Sequence, residues 1–360
     1  MSLDENKEIV FEGSVGESVG QKPKYPFGRL YGKMSWLFFS VVMLIVCANI
    51  CAAVLAMIAN FYKPEIIEDS RYALAVSGIA MYAVGSPIAI IMLLFSTPQQ
   101  SIGERKKIGF GSWMKYLCIA FMFMLAGNLV GIAITGGIGI ALGRPITNPV
   151  ADMLGGGSWI IVFVTTVIAA PIFEEIIFRK LLIDRMGAFG EKTAIIASAL
   201  AFGLVHGNFS QFFYAFGVGL LFGYVYCKTK NICYTIAMHM VINGVSGVLT
   251  AYISDKVDTD AIAAVSDKMA KATSDEEIMR LFGELMRCSA PMFALLGVML
   301  VIFVLAILGI VFLARGAKNV RLEECVYDIP KKKIRVATYL NVGVIFLYVI
   351  MAISFIGSLA

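Results

Sequence analysis

Charged side chains are scarce in this sequence. Asp, Glu, Lys and Arg make up 15% of the 360 residues, hydrophobic residues make up 59%, and the mean hydropathy is +0.82. A soluble domain carries about a quarter charged residues, so water is not this chain's main solvent. Also missing are the ten-residue segments of alternating polarity that a membrane β-barrel requires. Cysteines are seven, an odd number: Cys47, Cys51, Cys118, Cys227, Cys233, Cys288 and Cys325. No CxxC pair occurs among them, which argues against a disulfide frame or a zinc ribbon and for buried thiols.

Other absences narrow the function. No HExxH is present, so an ordinary zinc-peptidase helix is not on offer. The final four residues carry no cysteine for prenylation. A polar segment of more than thirty residues precedes the first apolar run, so a cleavable signal peptide is not expected. Glycines at 155–157, and Gly136, Gly137, Gly139 and Gly143, follow no strand and make no phosphate loop; close packing or a helix break is the reading. The net charge of +5 does not imply a nucleic-acid partner, because the basic residues fall between apolar runs.

What the sequence has is long apolar runs. About nine approach or reach the length needed to cross a bilayer as helices: residues 36–58, 72–96, 116–142, 159–183, 193–206, 212–227, 233–253, 292–313 and 338–359. The expected fold is an all-α, polytopic transmembrane helix bundle. Basic residues mark alternate loops: Lys22, Lys24, Arg29 and Lys33; Arg105, Lys106 and Lys107; Arg185 and Lys192; Lys228 and Lys230; then Arg315 to Arg335. The loops between are neutral or acidic, as with Glu65, Glu68 and Asp69. The positive-inside rule thus puts the N-terminus in the cytoplasm and the C-terminus outside.

This divides the chain into a cytoplasmic tail (1–33), N-terminal helices (34–158), a central core (159–253), an extracytoplasmic amphipathic segment (254–290) and C-terminal helices (291–360). In the amphipathic segment Ala261, Ile262, Val265, Met269, Ile278, Leu281, Phe282 and Leu285 recur at helical spacing. Gly219 and Gly223 form a GxxxG face suited to close helix packing.

Polar groups inside hydrocarbon cost at least about 2.5 kcal/mol each on insertion scales, so those present carry information. The fourth run contains Glu174-Glu175-Ile176-Ile177-Phe178-Arg179. Glu175 and Arg179 stand one turn apart and can neutralise each other, leaving Glu174, about 100° around the helix, free. The chain's two histidines, His206 and His239, both fall in apolar runs, and Asn243 follows His239 by one turn. At 1.5 Å per residue from the cytoplasmic ends, Glu174, His206 and His239 each lie about 12–20 Å deep, which permits one shared pocket. A buried polar network that only holds helices together is the plainer alternative.

These residues resemble the CAAX-processing and bacteriocin-processing family of intramembrane proteases, also called the Abi family, whose pattern is EExxxR, FxxxH and HxxxN in that order. Glu174 to Arg179 matches the first motif, Phe202-Gly203-Leu204-Val205-His206 the second and His239-Met240-Val241-Ile242-Asn243 the third. The resemblance covers about residues 159–248. It implies an intramembrane endopeptidase acting on a peptide or membrane-protein substrate, with Glu174, Glu175, Arg179, His206, His239 and Asn243 as its site. It also implies a multi-pass cell-membrane location, the bacterial cytoplasmic membrane being the expectation.

Two mechanisms stay open. Glu174 can act as general base with His206, His239 and Asn243 aligning water and balancing the oxyanion. Alternatively His206 and His239 ligate zinc with a carboxylate and water. The metal-free route is slightly favoured, since the matched positions supply base and donors without an ion. A proton-coupled transporter using Glu174, Glu175 and the histidines as relay, or a non-catalytic scaffold or immunity protein, are the competing functions; no inverted repeat supports the first.

The topology has a direct test. Single cysteine probes near Lys106, Lys230 or Lys332 are expected to react only from the cytoplasm, and probes near Glu68 or Asp258 only from outside. Labelling of both groups from one side contradicts the assignment.

Overall fold

A computed structural model describes residues 22–101, 103–146 and 159–359. The glycine run at 155–157 lies outside the described residues. Every regular element among those described is helical. We number them α1 (Phe27–Tyr62), α2 (Ser70–Leu94), α3 (Phe110–Leu142), α4 (Trp159–Phe189), α5 (Glu191–Leu204), α6 (Phe209–Thr229), α7 (Cys233–Ser254), α8 (Thr259–Lys271), α9 (Asp275–Asn319), α10 (Lys331–Tyr339) and α11 (Val342–Gly357).

Seven of these are long and apolar enough to cross a membrane, namely α1, α2, α3, α4, α6, α7 and α9. An eighth span is made if α10 and α11, bent by 45° at their junction, count as one. The chain is therefore a polytopic helical membrane protein, with seven or eight spans in place of the nine expected. The difference is α5. It has 14 residues, about 21 Å of helix, which is short of a bilayer's hydrocarbon thickness. Its buried face includes Ala194, Ile195, Ala197, Ala199, Ala201 and Phe202, so it is enclosed by protein and its apolar sequence reflects a core, not a lipid contact. By contrast only 17% of the most apolar window of α9 is buried, and Leu296, Leu300 and Phe303 point outward. Such a surface is stable only against lipid.

The amphipathic segment is helical, as its spacing implied, in α8 and the start of α9. α9 runs without interruption through Pro291, so residues 275–290 of the amphipathic segment form one helix with the span that follows. α8 packs on the start of α9, burying Val265 and Leu281.

Packing forms two large apolar clusters beside a small one around Leu74 and Val162. One gathers α1, α4, α5 and α11 around Leu37, Phe38, Phe178, Phe202 and Leu347; the other gathers α3, α6, α7 and α9 around Phe121, Phe222, Val225, Met238 and Ile302. α5 and α6 form an antiparallel hairpin. Gly219 and Gly223 make it tight: a Cβ added at Gly219 would lie 3.1 Å from Ala199 Cα, and one at Gly223 would lie 3.1 Å from Ile195 Cγ2. The GxxxG face read from the sequence is thus turned onto α5.

The basic end of the bundle is fixed by buried acids. Asp184 accepts hydrogen bonds from Tyr226 Oη at 2.8 Å, Gln100 Nε2 at 3.0 Å and Lys180 Nζ at 2.9 Å. Glu191 accepts from Ser101 Oγ at 2.7 Å and the Glu323 amide at 3.0 Å, with Lys230 Nζ 3.6 Å away. These contacts hold α4, α5 and α6 at a set height relative to the loops after α2 and α9, and so set the depth at which the polar residues of α4 and α7 meet.

Candidate active site

α4 departs from regular α-helix twice, with π-helical turns at Phe163–Ala169 and Glu175–Ile183. Pro171 lies between them and has no N–H. In the π register, in which an amide bonds the carbonyl five residues earlier, residue 171 is the one that would reach the Thr166 carbonyl, and it cannot donate. That carbonyl instead accepts from Asn243 Nδ2 at 2.9 Å. Asn243 itself opens a π-helical turn in α7, Asn243–Leu249. The two widened helices are tied to each other at the level of the site.

One turn away on α7, His239 lies between the two glutamates. Its Nδ1 is 3.1 Å from Glu175 Oε1, and its Nε2 is 3.7 Å from Glu174 Oε2. Because a carboxylate oxygen accepts, Nδ1 carries the proton and donates. Glu175 is fully buried and is also paired with Arg179, Nε to Oε2 3.2 Å. Thr235, buried one turn before His239 on the same face of α7, donates to the Ile232 carbonyl at 3.0 Å. The Glu174 side chain is 23% exposed, and among the described residues His239 is the one ion-pairing side chain found within 4 Å of its carboxylate. The two adjacent carboxylates therefore have different environments, as their helical positions implied: Arg179 neutralises Glu175, and Glu174 is left beside an imidazole.

Arg179 is held by rings. None of its guanidinium nitrogens makes a directed hydrogen bond among the described residues. Its Cζ lies 4.4 Å from the centroid of Phe202 and 5.7 Å from that of Phe222, distances at which cation–π attraction stabilises a desolvated cation by about 2 kcal/mol. Phe202 belongs to one apolar cluster and Phe222 to the other, so the ion pair sits on the seam between them.

His206 is not helical. α5 ends at Leu204, Gly207 takes the positive φ of 68° that turns the chain, and Asn208 caps α6 by accepting from the Gln211 amide at 2.9 Å. His206 Nδ1 is 2.8 Å from the Phe202 carbonyl. A carbonyl can only accept, so Nδ1 is the donor and the neutral ring presents an Nε2 lone pair. Phe202 makes edge contacts with both imidazoles, at 5.1 Å to His206 and 5.8 Å to His239. The phenylalanine of FxxxH thus supports the arginine of EExxxR, supplies the carbonyl that sets one histidine's tautomer, and spaces the two histidines.

The structure brings Glu174, Glu175, Arg179 and His239 into direct contact, places His206 against the same Phe202, and ties Asn243 to α4. Several neighbours had no signal beyond ordinary helix composition. Tyr82 of α2 stacks on Phe173 at 5.7 Å. Tyr214 approaches His206, with ring centroids 6.3 Å apart, and accepts from Gln211 Nε2 at 2.8 Å. Only the i−4 spacing of Thr235 to His239 offered a clue to its place. Among the described residues no group of three or more His, Cys, Asp or Glu side chains converges as a metal centre requires. The zinc arrangement of His206 and His239 with a carboxylate is not gathered among them, and the metalloprotease reading is not supported.

Residues 156–245 match the model of a family described as Type II CAAX prenyl endopeptidase Rce1-like. Relatives include a putative membrane peptidase, YdiL, of Bacillus subtilis (strain 168), 26% identical over 168 residues, which are 43% of this chain and 64% of that protein. Another is the membrane-embedded CAAX protease MroQ of Staphylococcus aureus (strain USA300), 23% identical over 221 residues, 58% of this chain and 87% of that protein. The chain thus spans a little under two thirds of the first relative. No solved structure matches it. The resemblance carried by the three motifs holds: all of Glu174 to Asn243 lies within the matched stretch, and the chain is similar to CAAX-type membrane peptidases through that core.

Removing one member of a buried ion pair leaves the other uncompensated and costs about 3–5 kcal/mol. Arg179→Ala is expected to lose that much stability, read as lower folded yield and an earlier thermal transition in detergent. Arg179→Lys keeps the charge but not the planar face against Phe202, and is expected to recover part. An Arg179→Ala protein that melts with the wild type contradicts the pairing.

Proposed function

We propose, starting from residues 156–245 as a CAAX-peptidase core, that this protein is an intramembrane endopeptidase that uses Glu174 to activate water. The reading rests chiefly on one observation: His239 lies between two carboxylates of which only Glu175 is neutralised by arginine. Glu174 is then the group able to accept a proton.

The reaction proceeds as follows in this reading. Water beside Glu174 donates a hydrogen bond to the His206 Nε2 lone pair, which the Phe202 carbonyl keeps unprotonated by holding Nδ1 as donor. Glu174 takes the water's proton as its oxygen attacks the scissile carbonyl, and afterwards delivers that proton to the leaving amine. The carbonyl oxygen gains negative charge. His239, protonated on Nε2 and balanced by Glu175 at Nδ1, donates to it, together with the Asn243 amide hydrogen not engaged by Thr166. Such donors act strongly because they are already oriented.

The substrate is a peptide bond in a membrane-associated or peptide substrate, and the bilayer is the protein's solvent. We place it as a multi-pass protein of a bacterial cytoplasmic membrane, in keeping with its bacterial relatives.

Glu174→Gln is nearly isosteric but cannot accept the proton. It is expected to lower peptide cleavage by the purified protein by about a hundredfold or more while leaving thermal stability in detergent almost unchanged. Full cleavage by that variant removes Glu174 from the mechanism. An intact wild type that cleaves no membrane peptide returns the carrier and scaffold readings.

A further inference from the structure

A cavity of about 610 Å³ opens between the α5–α6 hairpin, α3 and the end of α9, and none of the candidate site residues lines it. Its inner wall is apolar and aromatic, including Ile119, Phe123, Ile196, Leu220 and Phe312. Its lining includes three cations, Lys115 from α3, Lys192 from α5 and Arg315 from α9, and no carboxylate. All three side chains are exposed, and among the described residues no acid pairs with any of them. Lys115 Nζ lies 5.9 Å from the Phe312 ring centroid, which keeps it at the cavity edge.

We propose that this cavity binds an anionic phospholipid, its phosphate among Lys115, Lys192 and Arg315 and an acyl chain along the apolar wall. The positive-inside rule accounts for basic residues at this end of the bundle. It does not account for three of them, from three helices, meeting without a carboxylate on the rim of one cavity. The dimensions agree with a lipid in one leaflet: from Ser112 to Phe123 the cavity follows α3 for about 16 Å, about half of a hydrocarbon core some 30 Å thick. Basic pockets between membrane helices at the cytoplasmic surface recognise such headgroups. The bound lipid fills the space that keeps α9, which leans on α3, apart from α5 and α6. The proposal is independent of peptidase activity.

The test uses the full chain in nanodiscs of phosphatidylcholine mixed with phosphatidylglycerol, with native mass spectrometry to read retained lipid. Wild type is expected to retain phosphatidylglycerol in preference to phosphatidylcholine. At about fivefold per cation, the triple variant Lys115→Gln, Lys192→Gln, Arg315→Gln is expected to weaken that retention about a hundredfold. Leu220→Trp, which fills the apolar wall and leaves all three charges, is expected to weaken it also. Removing the basic cluster of α10 with Lys331→Gln, Lys332→Gln and Lys333→Gln is expected to leave it unchanged. Glycerol phosphate, which has no acyl chain, is expected not to compete. Equal retention by wild type and the triple variant overturns the proposal, as does an equal loss in the α10 variant, which would reduce the effect to net charge. Unchanged retention in Leu220→Trp, or effective competition by glycerol phosphate, overturns the lipid as occupant.

Discussion

A carboxylate and a guanidinium, both without solvent access and 3.2 Å apart on one turn of a membrane helix, set the terms for the centre of this protein. Neither charge is tolerable there alone, since each carries a desolvation cost of several kcal/mol. Glu175 needs Arg179 and His239; Arg179 needs Glu175 and the faces of Phe202 and Phe222. These partners come from α4, α5, α6 and α7. The pair is therefore satisfied only when those helices are packed in one arrangement, and the two apolar clusters close onto each other around it.

The same arrangement leaves a functional remainder. With Glu175 and Arg179 cancelling, Glu174 and His239 are left as neighbours across 3.7 Å, at the partly exposed edge of the pair. Pro171 and the π-helical turns extend this logic to the backbone. A carbonyl that the helix cannot satisfy is bonded by Asn243, which positions α7 against α4 where the histidine must face both carboxylates. Helix irregularity in hydrocarbon is tolerated where a neighbouring helix restores the lost hydrogen bond, and here the restoring group is one of the site residues.

Much of this was legible in the sequence because intramembrane polar residues are few and their spacing is informative. The i,i+4 relation of Glu175 and Arg179 identified which glutamate would be neutralised, and the order of three short motifs carried the resemblance to CAAX-type peptidases. Span counting was less secure at 193–206, because an apolar run enclosed by protein reads like one facing lipid. His206 was read as helical, whereas Gly207 and the Asn208 cap turn the chain there. The two-sided role of His239 was not legible, since spacing along one helix does not give the angle at which it meets another. Nor was the service of Phe202 to Arg179 and both histidines, which depends on α5 ending two residues beyond it.

The central claim is that Glu174 and His239 act as one unit in a single step, Glu174 taking the water's proton while His239 donates to the carbonyl oxygen that the attack charges. A double-mutant cycle in kcat/KM measures this most directly, with Glu174→Gln, His239→Gln and the double variant compared at matched thermal stability. Groups that act together lose their contribution once, so the double variant is expected to be no slower than the worse single variant. Losses that multiply, making the double variant slower by the product of the two single effects, would show that the residues work independently and would contradict the account.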